Sequence, residues 1–238
     1  MPLPFKIVVA GLLFGWQTIG VHPGSAADAA GGEQVLNRWL QRQSEIQTWA
    51  ADVRQIRKLK TLAQPLEAEG RVWFSRPNRF RWQLGDPPRT VIVRTRDALW
   101  IEYPRLKRVE KFPLTGGPDS RWRYIMALVD VGFPEDAQTF YATYSLTGAR
   151  NIGDIWRIDL QPLSVEARKL LDSVSLEISV PDLLLRTTEL AFPDGSVMRN
   201  EFGAIEVNPP LKPGLFVLEI PPDYQVVNPL ADRQDGGR

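Results

Sequence analysis

The stretch from Glu69 to Pro88, EGRVWFSRPNRFRWQLGDPP, combines alternating apolar side chains with several arginines. Pro77 and Asn78 suit a chain reversal, since proline fixes φ and asparagine tolerates turn geometry. Apolar residues at every second position on both sides of this turn predict a β-hairpin with one apolar face. That face could cover a protein core or an apolar ligand. Its residues are Val72, Phe74, Phe80, Trp82 and Leu84.

Few groups in the chain could catalyse a reaction. The sequence has no cysteine, and its single histidine is His22. His22 lies in the N-terminal segment that is predicted below to be cleaved. The chain that remains lacks the commonest general base, the thiol nucleophile and the usual zinc ligands. No glycine-rich phosphate loop, G-x-S-x-G elbow or S-x-x-K signature occurs. Paired carboxylates could still serve a glycosidase. We predict that the protein is not an enzyme and uses no cofactor or metal.

The N-terminal residues are typical of a secretory signal peptide. Lys6 precedes the apolar run IVVAGLLFGW, and small residues follow in HPGSAADAA. The alternative, a transmembrane anchor, needs about 20 apolar residues, and Gln17 and Pro23 interrupt the run too early. We predict that residues 1–27 are a signal peptide and are removed by cleavage. No cysteine is available for lipid attachment, so the exported protein is expected to be soluble in its compartment.

The charge balance argues against nucleic-acid binding. Residues 28–238 contain 28 basic and 28 acidic side chains. Proteins that bind nucleic acids normally carry a basic excess, because neutralising phosphates drives the binding. The 43% of apolar and 24% of charged residues are typical of a globular protein. We predict a single domain over residues 28–238, a monomer, and no nucleic-acid partner.

The periodicity predicts mainly β structure with helical additions. Apolar residues at helical spacing predict an amphipathic helix from Glu33 to Trp49. About six short strands follow, then a helical insert near residues 118–135, then four or five strands. The last strand is predicted in LFVLEIP, residues 215–221, and a frayed tail after it. One curved antiparallel sheet of about eleven strands, with the helices on its concave side, satisfies this order.

Four segments span most of residues 33–228: DVRQIRKL, GRVWFSRPNRFRW, ALWIEYPRLKRVEKF and RNEFGAIEVNPPLKPGLFVLEIPPDYQVV. Through these segments the chain resembles the LolA family of periplasmic lipoprotein carriers. In this family the fold is an incomplete antiparallel β-barrel closed by a helical lid, which agrees with the mainly β, α-lidded architecture predicted above. One departure is Asp97, which must turn the chain without the glycine that usually follows it.

The resemblance implies a transport function in the periplasm. Family members take acylated lipoproteins from an inner-membrane lipoprotein-releasing transporter, shield the acyl chains in an apolar cavity, and pass them to an outer-membrane lipoprotein receptor. The alternative is a protein of the same fold that senses lipids or lipoproteins, or carries a different acylated molecule, without this transfer. Transport predicts cargo complexes and transfer to an acceptor, whereas sensing predicts a stable protein partner.

The resemblance also assigns roles to single residues. Arg76 aligns with the family's arginine that donates hydrogen bonds to lid carbonyls and holds the empty cavity shut; the alternative is a surface arginine beside a turn. Phe80 aligns with a phenylalanine at the contact between carrier and membrane partner, and Trp82 with an aromatic residue of the same strand.

Both aromatic residues are expected on one face of the strand, Trp82 in the cavity and Phe80 at its rim, although an ordinary core would produce the same pattern. Further candidates for lipid binding or a partner rim are Trp73, Phe74, Trp100, Trp122, Ile125 and Leu128.

Overall fold

The computed structural model describes residues 26–114 and 131–229. Three helices lie in these ranges: α1 (Ala26–Glu45), α2 (Ala137–Thr143) and α3 (Val165–Arg168). Helix α1 begins earlier than the predicted span from Glu33 to Trp49. It also ends earlier, because Trp49 belongs to the first strand. Residues 118–130 of the predicted helical insert lie outside the described residues, as do residues 1–25 of the predicted signal peptide. Residues 131–135, predicted as the end of the insert, are irregular, and α2 begins only at Ala137.

Twelve strands account for nearly half of the described residues. The first six are β1 (Thr48–Lys58), β2 (Leu66–Ser75), β3 (Arg79–Leu84), β4 (Thr90–Arg94), β5 (Ala98–Tyr103) and β6 (Arg108–Pro113). The second six are β7 (Tyr144–Ile152), β8 (Ile155–Pro162), β9 (Ser173–Ser179), β10 (Leu185–Ala191), β11 (Val197–Val207) and β12 (Gln225–Val227).

All twelve strands form one sheet in the order β12-β6-β5-β4-β3-β2-β1-β11-β10-β9-β8-β7. Every neighbouring pair is antiparallel except β12 and β6. Because this order has two ends, the sheet is open. The predicted antiparallel sheet is therefore confirmed, with one strand more than the expected eleven or so.

The sheet curves strongly enough to bring distant strands together. Trp82 of β3 and Phe202 of β11 have ring centroids 6.1 Å apart, although β2 and β1 separate their strands. In a flat sheet, three strand spacings would hold these positions about 14 Å apart. We call the face that carries Trp82 and Phe202 the inner face and the opposite one the outer face. An incomplete barrel, as predicted, follows from this curvature and the open order.

Helix α1 packs on the inner face at close range. Its buried residues Leu36, Trp39 and Leu40 recur at helical spacing and join the main hydrophobic core. A side-chain carbon added at Gly32 would lie 2.1 Å from Cβ of Ala149 in β7. Only glycine permits this approach. The helix therefore covers one half of the inner face, in agreement with the predicted helix on the concave side.

The chain after β11 corrects one prediction. Residues 215–221, expected to be a strand, have no sheet pairing: Leu215 and Phe216 belong to a turn that begins at Pro213, the residues after them are irregular, and the short β12 follows instead. Arg81 of β3 donates from Nη1 to the carbonyls of Leu215 and Val217, both at 3.3 Å. Arg81 alternates with Trp82 and so points to the outer face. We call residues 209–224, which cross this face to reach β6, the C-terminal strap.

Candidate functional site

An aromatic cluster occupies the inner face. Trp49 of β1 packs edge-on against Phe133 and Phe202, with centroid distances of 5.0 and 5.3 Å. Phe74 of β2 stacks on Phe133 at 4.7 Å with an interplanar angle of 12°. Aromatic pairs at these separations contribute about 0.5–1.5 kcal/mol beyond the area they bury. The cluster thus joins the sheet to Phe133, which belongs to no strand.

The segment that carries Phe133 lies over the inner face. Val131, Gly132 and Pro134 are buried. A side-chain carbon at Gly132 would contact Leu185 and Thr188 of β10, while Phe133 reaches Trp49 and Phe74. Residues 131–134 therefore cover part of the concave surface through apolar contacts. Such contacts have little directional preference, so another apolar partner could replace them.

Arg76, in the turn between β2 and β3, binds the end of α1. Its Nε donates to the carbonyl of Ile46 at 2.8 Å and its Nη2 to the carbonyl of Gln43 at 2.5 Å. The last carbonyls of a helix have no intrahelical partner and form the negative end of its dipole. A guanidinium group satisfies both the missing hydrogen bonds and the charge.

The same guanidinium group binds the chain just after residues 131–134. Nη1 of Arg76 donates to the carbonyl of Glu135 at 3.1 Å. The next residue, Asp136, caps α2 by accepting from the Thr139 N–H at 2.7 Å. The pKa of Asp136 is lowered, chiefly by its hydrogen bonds with Thr139 and least by the charge of Arg76. One side chain thus connects the β2–β3 turn, α1 and the covering segment.

The predicted site residues divide between the two faces. Phe74, Phe80 and Trp82 point to the inner face, and Phe80 is only 3% exposed. The indole Nε1 of Trp82 is buried and has no hydrogen-bond partner among the described residues. Trp73 and Trp100 point to the outer face. There the guanidinium group of Arg71 lies over the Trp73 ring, and the ammonium group of Lys111 lies over the Trp100 ring.

Trp73 and Trp100 therefore do not line the concave surface, and a role for them at a partner rim stays a prediction. The predicted Trp122, Ile125 and Leu128 lie outside the described residues.

Polar side chains also lie on the inner face, and the sequence analysis did not single them out. Gln55 donates to Asn200 at 3.0 Å, and Asn200 donates to Thr188 at 3.0 Å. These three residues occupy matching positions in β1, β11 and β10. On the inner face of β5, burial and the charge of Glu110 raise the pKa of the Tyr103 phenol. The concave surface thus has hydrogen-bonding groups beside its aromatic cluster.

Sequence reasoning also missed Trp49, Phe133 and Phe202 as members of the cluster. Period 2 in SVMRNEF would have placed Phe202 on the same face as Asn200, but the contact with Trp82 depends on the curvature of the sheet. Phe133 follows a glycine in an irregular segment and gives no periodic signal.

Two features are absent from the described residues. Within residues 26–114 and 131–229, no group of three or more His, Cys, Asp or Glu side chains is arranged to hold a metal ion. None of the helices in these ranges has the length and hydropathy needed to cross a membrane.

Comparison with known families matches residues 44–219 to the model of the outer membrane lipoprotein carrier protein LolA. The chain belongs to the LolA family. It is 30% identical over 161 residues to an outer-membrane lipoprotein carrier protein of Chromohalobacter salexigens, covering 68% of this chain and 71% of that relative. A carrier protein of the same description from Alkalilimnicola ehrlichii is 28% identical over 167 residues, 68% of each chain. The description of this family names the carrying of lipoproteins and no enzymatic reaction.

Solved structures align with most of this LolA-family chain at low identity. A conserved protein from Thermus thermophilus gives a TM-score of 0.49 at 14% identity, over 83% of this chain and 99% of that one. A LolA superfamily protein from Nitrosomonas europaea gives 0.39 at 12% identity, over 79% and 97%. These scores add no argument about the function.

Proposed function

We propose that this protein is a periplasmic carrier that binds the acyl chains of lipoproteins on its inner face and transfers them from the inner to the outer membrane. One observation carries the proposal: Arg76 binds both α1, which covers one half of the inner face, and Glu135, which directly follows the segment over the aromatic cluster. The membership of the LolA family supports the same function.

The energetics explain why such a surface is needed. Each CH₂ group removed from water contributes about 0.8 kcal/mol, so a sixteen-carbon chain contributes on the order of 12 kcal/mol and does not leave a membrane unaided. The inner face offers Trp49, Phe74, Phe80 and Phe202 as an alternative apolar environment. An acyl chain would displace Phe133 and its neighbours and keep the same kind of contact.

We assign Arg76 the role of a latch. Its three hydrogen bonds are made only while α1 and residues 131–135 lie over the inner face. A net hydrogen bond from a charged donor contributes about 1.5–3 kcal/mol, so the covered form is favoured without being irreversible. Phe74 and Trp82 would then contact acyl chains when the covering segments move. No cofactor or catalytic residue is required.

In this proposal the cargo is an acylated lipoprotein, and the partners are an inner-membrane lipoprotein-releasing transporter and an outer-membrane lipoprotein receptor. The protein would act as a monomer after removal of residues 1–27. Both partners face the aqueous space between the membranes, so the proposal places the protein in the periplasm.

A release assay tests the proposal. Spheroplasts making labelled lipoproteins are incubated with the processed protein, and lipoprotein bound to it in the supernatant is quantified. We expect soluble complexes with the native protein. Arg76→Leu should fold normally by circular dichroism but pass cargo to outer-membrane vesicles at least about tenfold less, the effect of losing one or more charged hydrogen bonds. Arg96→Leu, an exposed arginine in the β4–β5 turn, is the matched control.

Two outcomes would contradict the proposal. If folded native protein releases no lipoprotein, the carrier function is refuted and the sensor or a different acylated ligand becomes the better interpretation. If Arg76→Leu and Arg96→Leu transfer cargo equally well, the carrier function stands but Arg76 is not a latch.

A further inference from the structure

One hydrogen-bond donor on the inner face has no acceptor. The indole Nε1 of Trp82 in β3 is buried and makes no hydrogen bond with any of the described residues. Buried polar groups in folded proteins are almost always hydrogen-bonded, and a buried tryptophan usually places its N–H against an acceptor. The exception at Trp82 therefore points to a partner that is not part of the fold.

The side chains around Trp82 offer only hydrocarbon. Two face it from the neighbouring strands, two flank it along β3 on the same face, and the ring of one has its centroid 6.1 Å from the indole. None of the five contains oxygen or nitrogen, so none can accept from the indole N–H. In that order they are Val72 and Ile92, Phe80 and Leu84, and Phe202.

The polar side chains of the inner face do not serve this donor either. Asn200 bonds to side chains of β1 and β10 instead. Glu110 of β6 binds Arg108 at 2.8 Å, and β4 and β5 separate it from β3. Arg94 of β4 lies on the same face, but a guanidinium group only donates hydrogen bonds, and it has an interaction of its own.

Trp39 also has a buried indole N–H without a partner among the described residues, but its position differs. It is fully buried in α1 and packs edge-on at 6.1 Å against Phe140 of α2. Trp82 is only partly buried, and α1 packs on β7 and β8, away from β3. Of the two indoles, that of Trp82 is therefore the one that a ligand on the inner face can reach.

We propose that the indole N–H of Trp82 donates a hydrogen bond to the ester carbonyl oxygen of an acyl chain bound on the inner face. This inference rests on the proposed function, because it requires apolar chains to occupy that face. Every acylated ligand has a carbonyl group where its chain begins, so the ligand brings the acceptor that the protein lacks. A neutral ester suits the surroundings, because a carboxylate would carry its charge among hydrocarbon side chains.

The missing acceptor also affects the ligand-free protein. A buried donor without a partner raises the free energy of the covered form, whereas a hydrogen bond to an ester removes this cost. The hydrogen bonds of Arg76 favour the covered form, and the unsatisfied N–H of Trp82 opposes it. Binding an acyl chain thus supplies an interaction that the empty protein does not make.

A pair of ligands that differ only in the carbonyl tests the proposal. Isothermal titration calorimetry measures how the processed protein binds dodecanoylglycerol, which has an ester carbonyl, and dodecylglycerol, its ether analogue. We expect the native protein to bind the ester about fivefold more tightly, the effect of one hydrogen bond. Trp82→Phe removes the N–H and should reduce this ratio to about one. Because both ligands lose the same ring contacts, the ratio isolates the hydrogen bond.

Trp73→Phe is the matched control, because Trp73 lies on the outer face of the neighbouring strand β2, and it should keep the native ratio. The same ester preference in Trp82→Phe as in the native protein would overturn the proposal. Equal affinity of the native protein for both ligands would overturn it too but leave the carrier function intact. If the native protein binds neither ligand, the carrier function is refuted as well. If Trp82→Phe loses affinity only for dodecanoic acid, the N–H binds a carboxylate and the ester proposal is wrong.

Nuclear magnetic resonance provides a test that needs no variant. A hydrogen bond to the ester should move the indole N–H proton of Trp82 downfield in isotope-labelled native protein. The signal is assigned through the contact of the ring with Phe202. We expect the shift with dodecanoylglycerol and not with dodecylglycerol, and the same shift with both ligands would contradict the proposal.

Discussion

The two faces of the sheet are formed by alternating residues of the same strands, but different forces hold them. On the outer face of β8–β11, Arg157 and Arg199 form ion pairs with Glu177 and Glu189 at 2.8 to 3.6 Å. On the inner face the alternate positions are mainly apolar, as with Val174 and Leu176, although Asn200 and Thr188 form one hydrogen bond there. Ion pairs have fixed partners and geometry, whereas apolar contacts can be exchanged.

This difference assigns separate tasks to the faces. The outer network fixes the register of β8–β11, since each arginine reaches carboxylates on two strands. Burial alone would lower the pKa of Arg199, but hydrogen bonds with Glu177 and Glu201 outweigh it and raise the pKa. The inner face can then change its contacts, as a carrier of apolar chains requires, while the strands stay paired.

The largest expected effect separates two neighbouring residues of β2. Phe74→Ala removes a buried ring from the inner cluster and should lower the free energy of unfolding by about 3–5 kcal/mol. Trp73→Ala, on the outer face, should lower the free energy of unfolding less. It removes the contact with Arg71, about 1 kcal/mol, and the ring that it deletes is only half-buried. Urea denaturation of both variants measures the difference. Equal losses would mean that the two faces contribute alike to stability.

A smaller effect is expected within the outer network. Arg199→Leu leaves Glu177 and Glu189 with Arg157 as their remaining cation and should destabilise the protein by about 1–2 kcal/mol, since the pairs are only partly buried. Arg54→Leu, whose side chain is 45% exposed and pairs with Glu67, is the control and should change stability less. Thermal unfolding of the two variants makes the comparison, and a larger loss with Arg54→Leu would contradict a structural role for the network.

The smallest effect concerns acid. Burial tends to raise the pKa of Glu177 and Glu189, but hydrogen bonds from Arg199 and Arg157 outweigh it, so both values lie below the ordinary 4.5. A lowered pKa in the folded state stabilises the protein above about 4.5, and this stability is lost as the pH falls through the lowered values.

The urea concentration at the midpoint of unfolding should therefore decrease as the pH is lowered from about 6 to about 3. It should decrease less in the variant with Glu177→Gln and Glu189→Gln. An unchanged slope in that variant would show that other carboxylates cause the acid loss.

Period 2 predicted much of the inner face. It placed Phe80 and Trp82 on the same side of β3, and the turns at Pro77-Asn78 and Asp194-Gly195 are where the strands reverse. Asp97 turns without glycine because the hydroxyl of Thr95 donates to the Ala98 carbonyl at 3.1 Å and accepts from the Ala98 N–H at 3.2 Å. A local hydrogen bond thus replaces a special backbone conformation.

Long-range contacts decided the features that were missed. The start of α1 depends on glycines that fit against Ala149 and Trp156, far away along the chain, and glycine is otherwise a poor helix former. The apolar alternation of LFVLEIP is typical of a strand, but Arg81 takes two carbonyls of this segment, and adjacent prolines lack the N–H donors that a ladder needs. Neither partner is visible in the local sequence.

The close approach of Gly32 to Ala149 has a mechanical consequence. With no gap at that position, packing holds α1 near its start, and the chain itself holds its end, because only Ile46 and Gln47 separate Glu45 from Thr48 of β1. The hydrogen bonds from Arg76 to Gln43 and Ile46 add a third attachment, to the β2–β3 turn. Any movement of α1 away from the sheet must therefore break these hydrogen bonds first, so Arg76 couples the position of the helix to the turn.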